Sequence, residues 1–212
     1  AQKAPVVSVD THLPAVPSER LHEMSLRARF SAPPVWQPEF VQERAYLDRP
    51  MSPAAVLLGL VMRDEPMVLL TRRANHMSTH SGQVAFPGGR VDDEDASPIA
   101  TALREVHEEI GLLPQLVEPL GYLAPYQTGT GYRVVPVVAI VQPDFELTLN
   151  PHEVVDAFEV PLVFLFNEAN YRRHRWERDG FVRESWALDY RGKMIWGVTA
   201  GILRNFYEGA FR

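Results

Sequence analysis

The chain has 212 residues, of which 46% are hydrophobic and 23% charged. That is enough apolar material for one buried core, and it excludes wholesale disorder. A net charge of −6 without a dominant basic patch argues against general nucleic-acid binding, and the absence of cysteine excludes disulfides and thiolate metal sites.

In chain order, residues 1 to about 18 contain Pro5, Pro14 and Pro17 and read as a loose lead-in. The stretch lacks the apolar core of a secretion signal, and no later run approaches the roughly 20 apolar residues of a membrane span. The expected location is therefore cytoplasmic, with no membrane partner. Ser18 is placed to cap a short helix reaching about Phe30, with Glu19 in its first turn. "SAPPVWQPEF" is a connector that cannot be helical throughout. The expected division is an N-terminal extension with a short helix over residues 1–35, then a single domain over 36–212.

"AAVLLGLVMR" and "MVLLTRR" read as two strands around a turn at Asp64 to Pro66. Arg72 and Arg73 are neighbours, so on a strand they point to opposite faces and only one can face a given site. "VAFPGGRV" reads as a short strand running into a turn at Gly88 and Gly89. The clearest helix follows: Ser97 suits the N-cap, Pro98 the first helical position and Gly111 the residue past the end. "LGYLAPYQ" and "RVVPVVAIVQ" are strand-like, with the loop "TGTGY" between them. "FEVPLVFLF" mixes a strand with a helix start at Pro161, and "HRWERDGFVRESWALDY" reads as a hairpin turning at Asp179-Gly180. "RGKMIWG" adds a strand, and "VTAGILRNFYEG" closes the chain as an amphipathic helix. Strands and helices mix without strict alternation. The expected class is α/β (α+β), a mixed sheet covered by helices. Trp186 and Trp196 are expected in the core or at an interface, and a homodimer through the N-terminal segment and these tryptophans is a candidate assembly.

On a helical wheel, Ile99, Leu103, Val106 and Ile110 form the core stripe of the clearest helix, while Glu105, Glu108 and Glu109 gather on the other side. Glu105 and Glu109 are four apart, and like charges at that spacing cost a few tenths of a kcal/mol. A divalent cation would turn that cost into binding. Mg²⁺ takes oxygen ligands, usually one or two carboxylates with substrate phosphates and water. A solvated acidic face is the commoner meaning of such a pattern, and the helix alone leaves both readings open. Arg104 can pair with Glu108 one turn on, and His107 reads as a surface or boundary residue.

The context "FPGGRVDDEDASPIATALREVHEEIGL" resembles the Nudix box of the Nudix hydrolases: Gly, five residues, Glu, seven residues, then Arg-Glu-aliphatic-any-Glu-Glu-any-Gly-aliphatic. Gly89 supplies the glycine, and Arg104 to Leu112 match the second half. The first half departs from the pattern, with Asp95 in place of Glu and eight residues before Arg104. The coenzyme A pyrophosphatase branch tolerates that spacing. "LLTRRANHMSTHSGQVAFPGG" is similar to the upstream signature of this branch, with Thr71, Arg73, His80, Gly82, Gln83 and Phe86 to Gly89 in place. "TGYRVVPVV", "EVVDAFEVPL" and "WGVTAGIL" extend the resemblance over about residues 50 to 205.

The resemblance implies a Nudix fold, a mixed sheet sandwiched between helices. It implies Mg²⁺- or Mn²⁺-dependent cleavage of coenzyme A or its derivatives to 3′,5′-ADP and 4′-phosphopantetheine or an acyl form. Alternatives are a Nudix hydrolase of ADP-ribose, NADH or a dinucleoside polyphosphate, and a non-catalytic Nudix-fold regulator that binds a small molecule. Glu105 and Glu109 are the implied metal ligands, Glu108 a further ligand or a base, and Arg104 the group that holds a glutamate in place. Glu153, in a late loop, is a second candidate base. For the substrate, Arg73 suits phosphate recognition, and Gly88 and Gly89 let backbone amides approach phosphate. His80, Ser81 and Gln83 lie in a polar loop that either covers the ligand or holds itself together. Tyr126 and Tyr132 flank the "QTGTG" loop, where they either stack on adenine or pack.

Overall fold

The computed structural model describes residues 5–9, 14–32, 37–38, 42–43, 50–76, 81–178 and 180–211. Its centre is β2 (Ser52–Met62), whose unbroken apolar run marks a strand buried on both faces. Side chains alternate: Ala55, Leu57 and Val61 enter one core, while Ala54, Leu58 and Leu60 enter another. β2 pairs in parallel with β8 (Tyr132–Val141), from Ser52 opposite Tyr132 to Val61 opposite Val141. It pairs antiparallel with β3 (Pro66–Arg73) and with β5 (Gly88–Arg90). β4 (Val84–Ala85) and β6 (Val117–Tyr122) complete the order β4-β3-β2-β8-β6, with β7 (Tyr126–Gln127) on β8 and β9 (Val154–Pro161) on β3. The expected mixed sheet is present.

Helix α2 (Pro98–Ile110) covers one face of this sheet. The other face carries α4 (Val198–Phe211), the short α3 (Leu162–Leu165) and a second, antiparallel sheet. That sheet runs β1 (Val6–Val9), β10 (Arg172–Arg178), β11 (Phe181–Tyr190), β12 (Lys193–Trp196). No helix among the described residues is long and apolar enough to cross a membrane.

Four local expectations need correction. Within the supposed lead-in, Val6–Val9 is an exposed edge strand, paired antiparallel with β10 from a sequence distance that no local signal reports. The helix expected from Ser18 is a single 3₁₀ turn over Ser18–Arg20, followed by α1 (Glu23–Ser31) with His22 as its N-cap. Burial of Leu21 and Leu26 in the α4-side core, together with Val16, overrides the capping signal of Ser18. Gly88 and Gly89 do not form a turn but lie in β5, opposite Val56 and Ala55. A Cβ on Gly88 would sit 2.4 Å from the Ala55 carbonyl oxygen, so close approach is what demands glycine there. Finally, α4 is not amphipathic in its setting: Thr199 to Glu208 are all buried, and β11 and β12 of the second sheet pack on the helix, with the Trp186 ring 5.2 Å from the Arg204 guanidinium. Gly180 closes the β10–β11 hairpin with φ +75°, while Asp179 lies outside the described residues.

Candidate active site

Local signals fix α2 before any tertiary contact does. Ser97 Oγ accepts the Ala100 amide at 3.2 Å, Pro98 opens the helix, and Gly111 ends it in the left-handed region with φ +71°. Ala102, Val106 and Ile110 then anchor it on Ala55, Leu57 and Val61, with Ile99 and Leu103 half-buried beside them. This docking turns Glu105 and Glu109 toward β5.

The three glutamates, expected together on one side of the helix, occupy three environments. Glu109 is 2% exposed. Its Oε2 accepts the Gly88 amide at 3.0 Å, and its Oε1 lies 3.7 Å from Arg73 Nη1. Gly88 therefore spends its N–H on Glu109, and that donor is not open to a phosphate as expected. Burial pushes the Glu109 carboxyl up to about 7. The Gly88 hydrogen bond and Arg73 oppose the rise, whereas Glu105 and Glu153 add to it. Glu105 is partly buried, and desolvation raises it against the pull of Arg104. A Cβ on Gly89 would fall 2.4 Å from the Glu105 carboxyl carbon, so the bare backbone of Gly89 makes room for that carboxylate. Glu108 keeps 54% of its side chain exposed and meets Arg104 Nη1 at 3.2 Å.

Arg104 is the hub. Its Nε and Nη2 donate to the two Asp95 oxygens at 3.1 and 2.9 Å, Nη2 also to the Arg90 carbonyl at 3.0 Å, and Nη1 to Glu105 at 3.0 Å. This bidentate clamp, with the Asp92 amide, holds the Asp95 carboxyl far below the usual carboxylate range. Sequence reasoning missed this role and registered Asp95 only as a departure from a pattern. The available signal was an acidic residue in the loop just before a helix that presents an arginine.

Glu153 lies in a loop tied to both neighbours: the Ala74 amide donates to the Glu153 carbonyl and the Asn150 amide to the Glu109 carbonyl, each at 2.8 Å. Its charge is felt by both Glu105 and Glu109. Among the described residues, no three His, Asp or Glu side chains form a ready-made metal cage. Glu105 and Glu109 nevertheless fit the modest carboxylate share that Mg²⁺ takes when phosphates and water complete its shell.

Of the expected substrate residues, Arg73 stands at the carboxylates and its amide donates to the Gln83 carbonyl at 3.0 Å. Gln83 is half-buried there. His80 lies outside the described residues. Ser81 Oγ donates to the Asn75 carbonyl. Tyr132 packs against the α4-side core, and Tyr126 is buried in it, so neither is brought to the carboxylates. Trp186 is buried in that core as well.

A family model described as the NUDIX domain matches residues 51–184. A protein of Enterobacter sp. (strain 638), named as an uncharacterized Nudix hydrolase NudL, is 47% identical over 152 residues, covering 72% of this chain and 79% of its own. The protein of that name from Escherichia coli (strain K12) is 46% identical with the same coverage. Among solved structures, the MutT protein from Methanosarcina mazei Go1 aligns with a TM-score of 0.46 at 23% identity, over 57% of this chain and 83% of its own.

Proposed function

The chain belongs to the Nudix family, and from that premise we propose that it hydrolyses the diphosphate bridge of coenzyme A or its derivatives. The products are 3′,5′-ADP and 4′-phosphopantetheine or its acyl form. One observation carries the reading: Glu105, Glu109 and Arg73 meet over Gly88 and Gly89, which sets carboxylates for a cation beside a guanidinium for a phosphate. Arg73 Nε is buried without an acceptor among the described residues, so this guanidinium keeps donor capacity for a ligand.

Mg²⁺ or Mn²⁺, when bound, neutralises phosphate oxygens and acidifies a water. Glu105 and Glu109 would hold the ion, which would offset their mutual repulsion. Arg104, braced by Asp95, fixes Glu105. Arg73 takes a phosphate oxygen and orients the bridge. Of the two base candidates, Glu153 is favoured over Glu108, because its loop is tied by backbone hydrogen bonds to Ala74 and, through Asn150, to Glu109, while Glu108 leans outward on Arg104. The sequence from Leu69 to Gly89 favours coenzyme A over other nucleoside diphosphates.

Incubation with coenzyme A and Mg²⁺ or Mn²⁺, followed by mass spectrometry, should yield the two named products. Faster cleavage of ADP-ribose, NADH or a dinucleoside polyphosphate in the same panel would reassign the substrate. Tight coenzyme A binding with no turnover on any of them would make the protein a regulator.

A further inference from the structure

Two arginines end β3, and the site uses only the second. With Arg73 on the α2 side beside Glu109, Arg72 stands on the α4 side. The register agrees, since Arg72 lies opposite Val84 of β4 and Asp156 of β9, and Val84 belongs to the α4-side core. Opposed residues have Cβ atoms about 5 Å apart, near enough for an Arg72–Asp156 ion pair. That pair does not form. Asp156 is held instead by Lys193 Nζ from β12, and the same ammonium lies 4.4 Å from the centre of the Phe158 ring. Arg72 is exposed, and among the described residues its guanidinium has no hydrogen bond or ion pair.

The three groups leave one uncompensated positive charge at the end of the strand that also carries Arg73. The chain as a whole has a net charge of −6, and this cation ends the same strand as Arg73, on its other face. A guanidinium with all its donors open suits a terminal phosphate. The two guanidinium groups flank the same strand end from opposite faces of the sheet. A ligand with its diphosphate at Arg73 and a second phosphate one sugar away can reach both around the strand end.

We propose that Arg72 is a specificity-determining residue that takes a phosphate remote from the scissile bridge, which on coenzyme A is the 3′-phosphate. Lys193 is a positioning residue that keeps Arg72 available by neutralising Asp156. The inference rests on the coenzyme A reading above.

The test compares kcat/KM for coenzyme A and for dephospho-coenzyme A, which lacks only that phosphate, in the Mg²⁺-loaded enzyme. Arg72→Ala should lower the value for coenzyme A by about 10- to 100-fold, mainly through KM, and leave dephospho-coenzyme A within about twofold. Lys193→Met retains Arg72 but frees Asp156 to capture it, and should shift the ratio in the same direction. Equal effects on both substrates, or none, would overturn the role of Arg72 while leaving the reaction intact. A wild-type enzyme that cleaves neither substrate would remove the coenzyme A reading and this inference with it.

Discussion

Helices α2 and α4 both place two charged residues four apart in a buried or half-buried stripe, and they do so with opposite consequences. In α4, Arg204 and Glu208 lie 3.4 Å apart and are almost fully buried. The Tyr171, Trp186 and Tyr207 rings stand 5.2 to 5.6 Å from the guanidinium. That pair neutralises itself inside a closed aromatic setting. In α2, Glu105 and Glu109 carry the same sign, and the buried Glu109 meets the Arg73 guanidinium only at 3.7 Å among the described residues. Burial of charge marks both places, and what separates a site from a strut is whether the charge is already balanced.

The largest contrast should come from the same substitution made in each helix. Glu109→Gln should cut metal-dependent turnover by about 100-fold or more while circular dichroism and denaturant unfolding remain near wild type. Glu208→Gln should do the reverse. Removing a buried negative partner of Arg204 should lower the unfolding free energy, with turnover per folded molecule retained. If Glu208→Gln removes activity and spares stability, the division between site and strut collapses.

A smaller effect is expected at Gly89. The atoms that an added Cβ would strike are the movable end of Glu105. Gly89→Ala should therefore displace that carboxylate and lower kcat by about tenfold, with little change in the unfolding midpoint. A large loss of stability with unchanged kcat would mean that Gly89 serves the sheet and not the site.

The smallest effect concerns Asp95, and pH exposes it. Arg104 depresses this carboxyl, so the pair contributes stability above the unfolded carboxylate value, near pH 3.9, and the contribution is lost as the pH falls toward the folded value. Thermal unfolding of wild type and Asp95→Asn should differ at pH 7, and the gap should close progressively below about pH 4. A gap independent of pH would assign the effect to packing.

The contrast also explains what the sequence could reveal. The boundaries of α2 were legible because Ser97, Pro98 and Gly111 act within one turn of themselves. β2 and β8 were legible as strands from their continuous apolar runs, but the burial of β2 on both faces was not, since it depends on the layers that cover the sheet. The burial of Glu109 was not, since it depends on Gly88 arriving from another strand to donate its amide. Nor was the fate of α4. Its polar residues read as a solvated face until β11 and β12 pack on the helix, and β10, the neighbour of β11, takes its outer partner from Val6–Val9 at the far end of the chain. Asp95 was visible only as a mismatch, because its partner Arg104 lies across a loop and a helix start.

The proposed seat of Glu105 and Glu109 for a divalent cation can be read by Mn²⁺ titration followed by electron paramagnetic resonance. Wild type and Glu208→Gln, at a temperature where both are folded, should bind Mn²⁺ alike, and Glu109→Gln should bind it at least about tenfold more weakly. Equal Mn²⁺ affinity in wild type and Glu109→Gln would contradict the account.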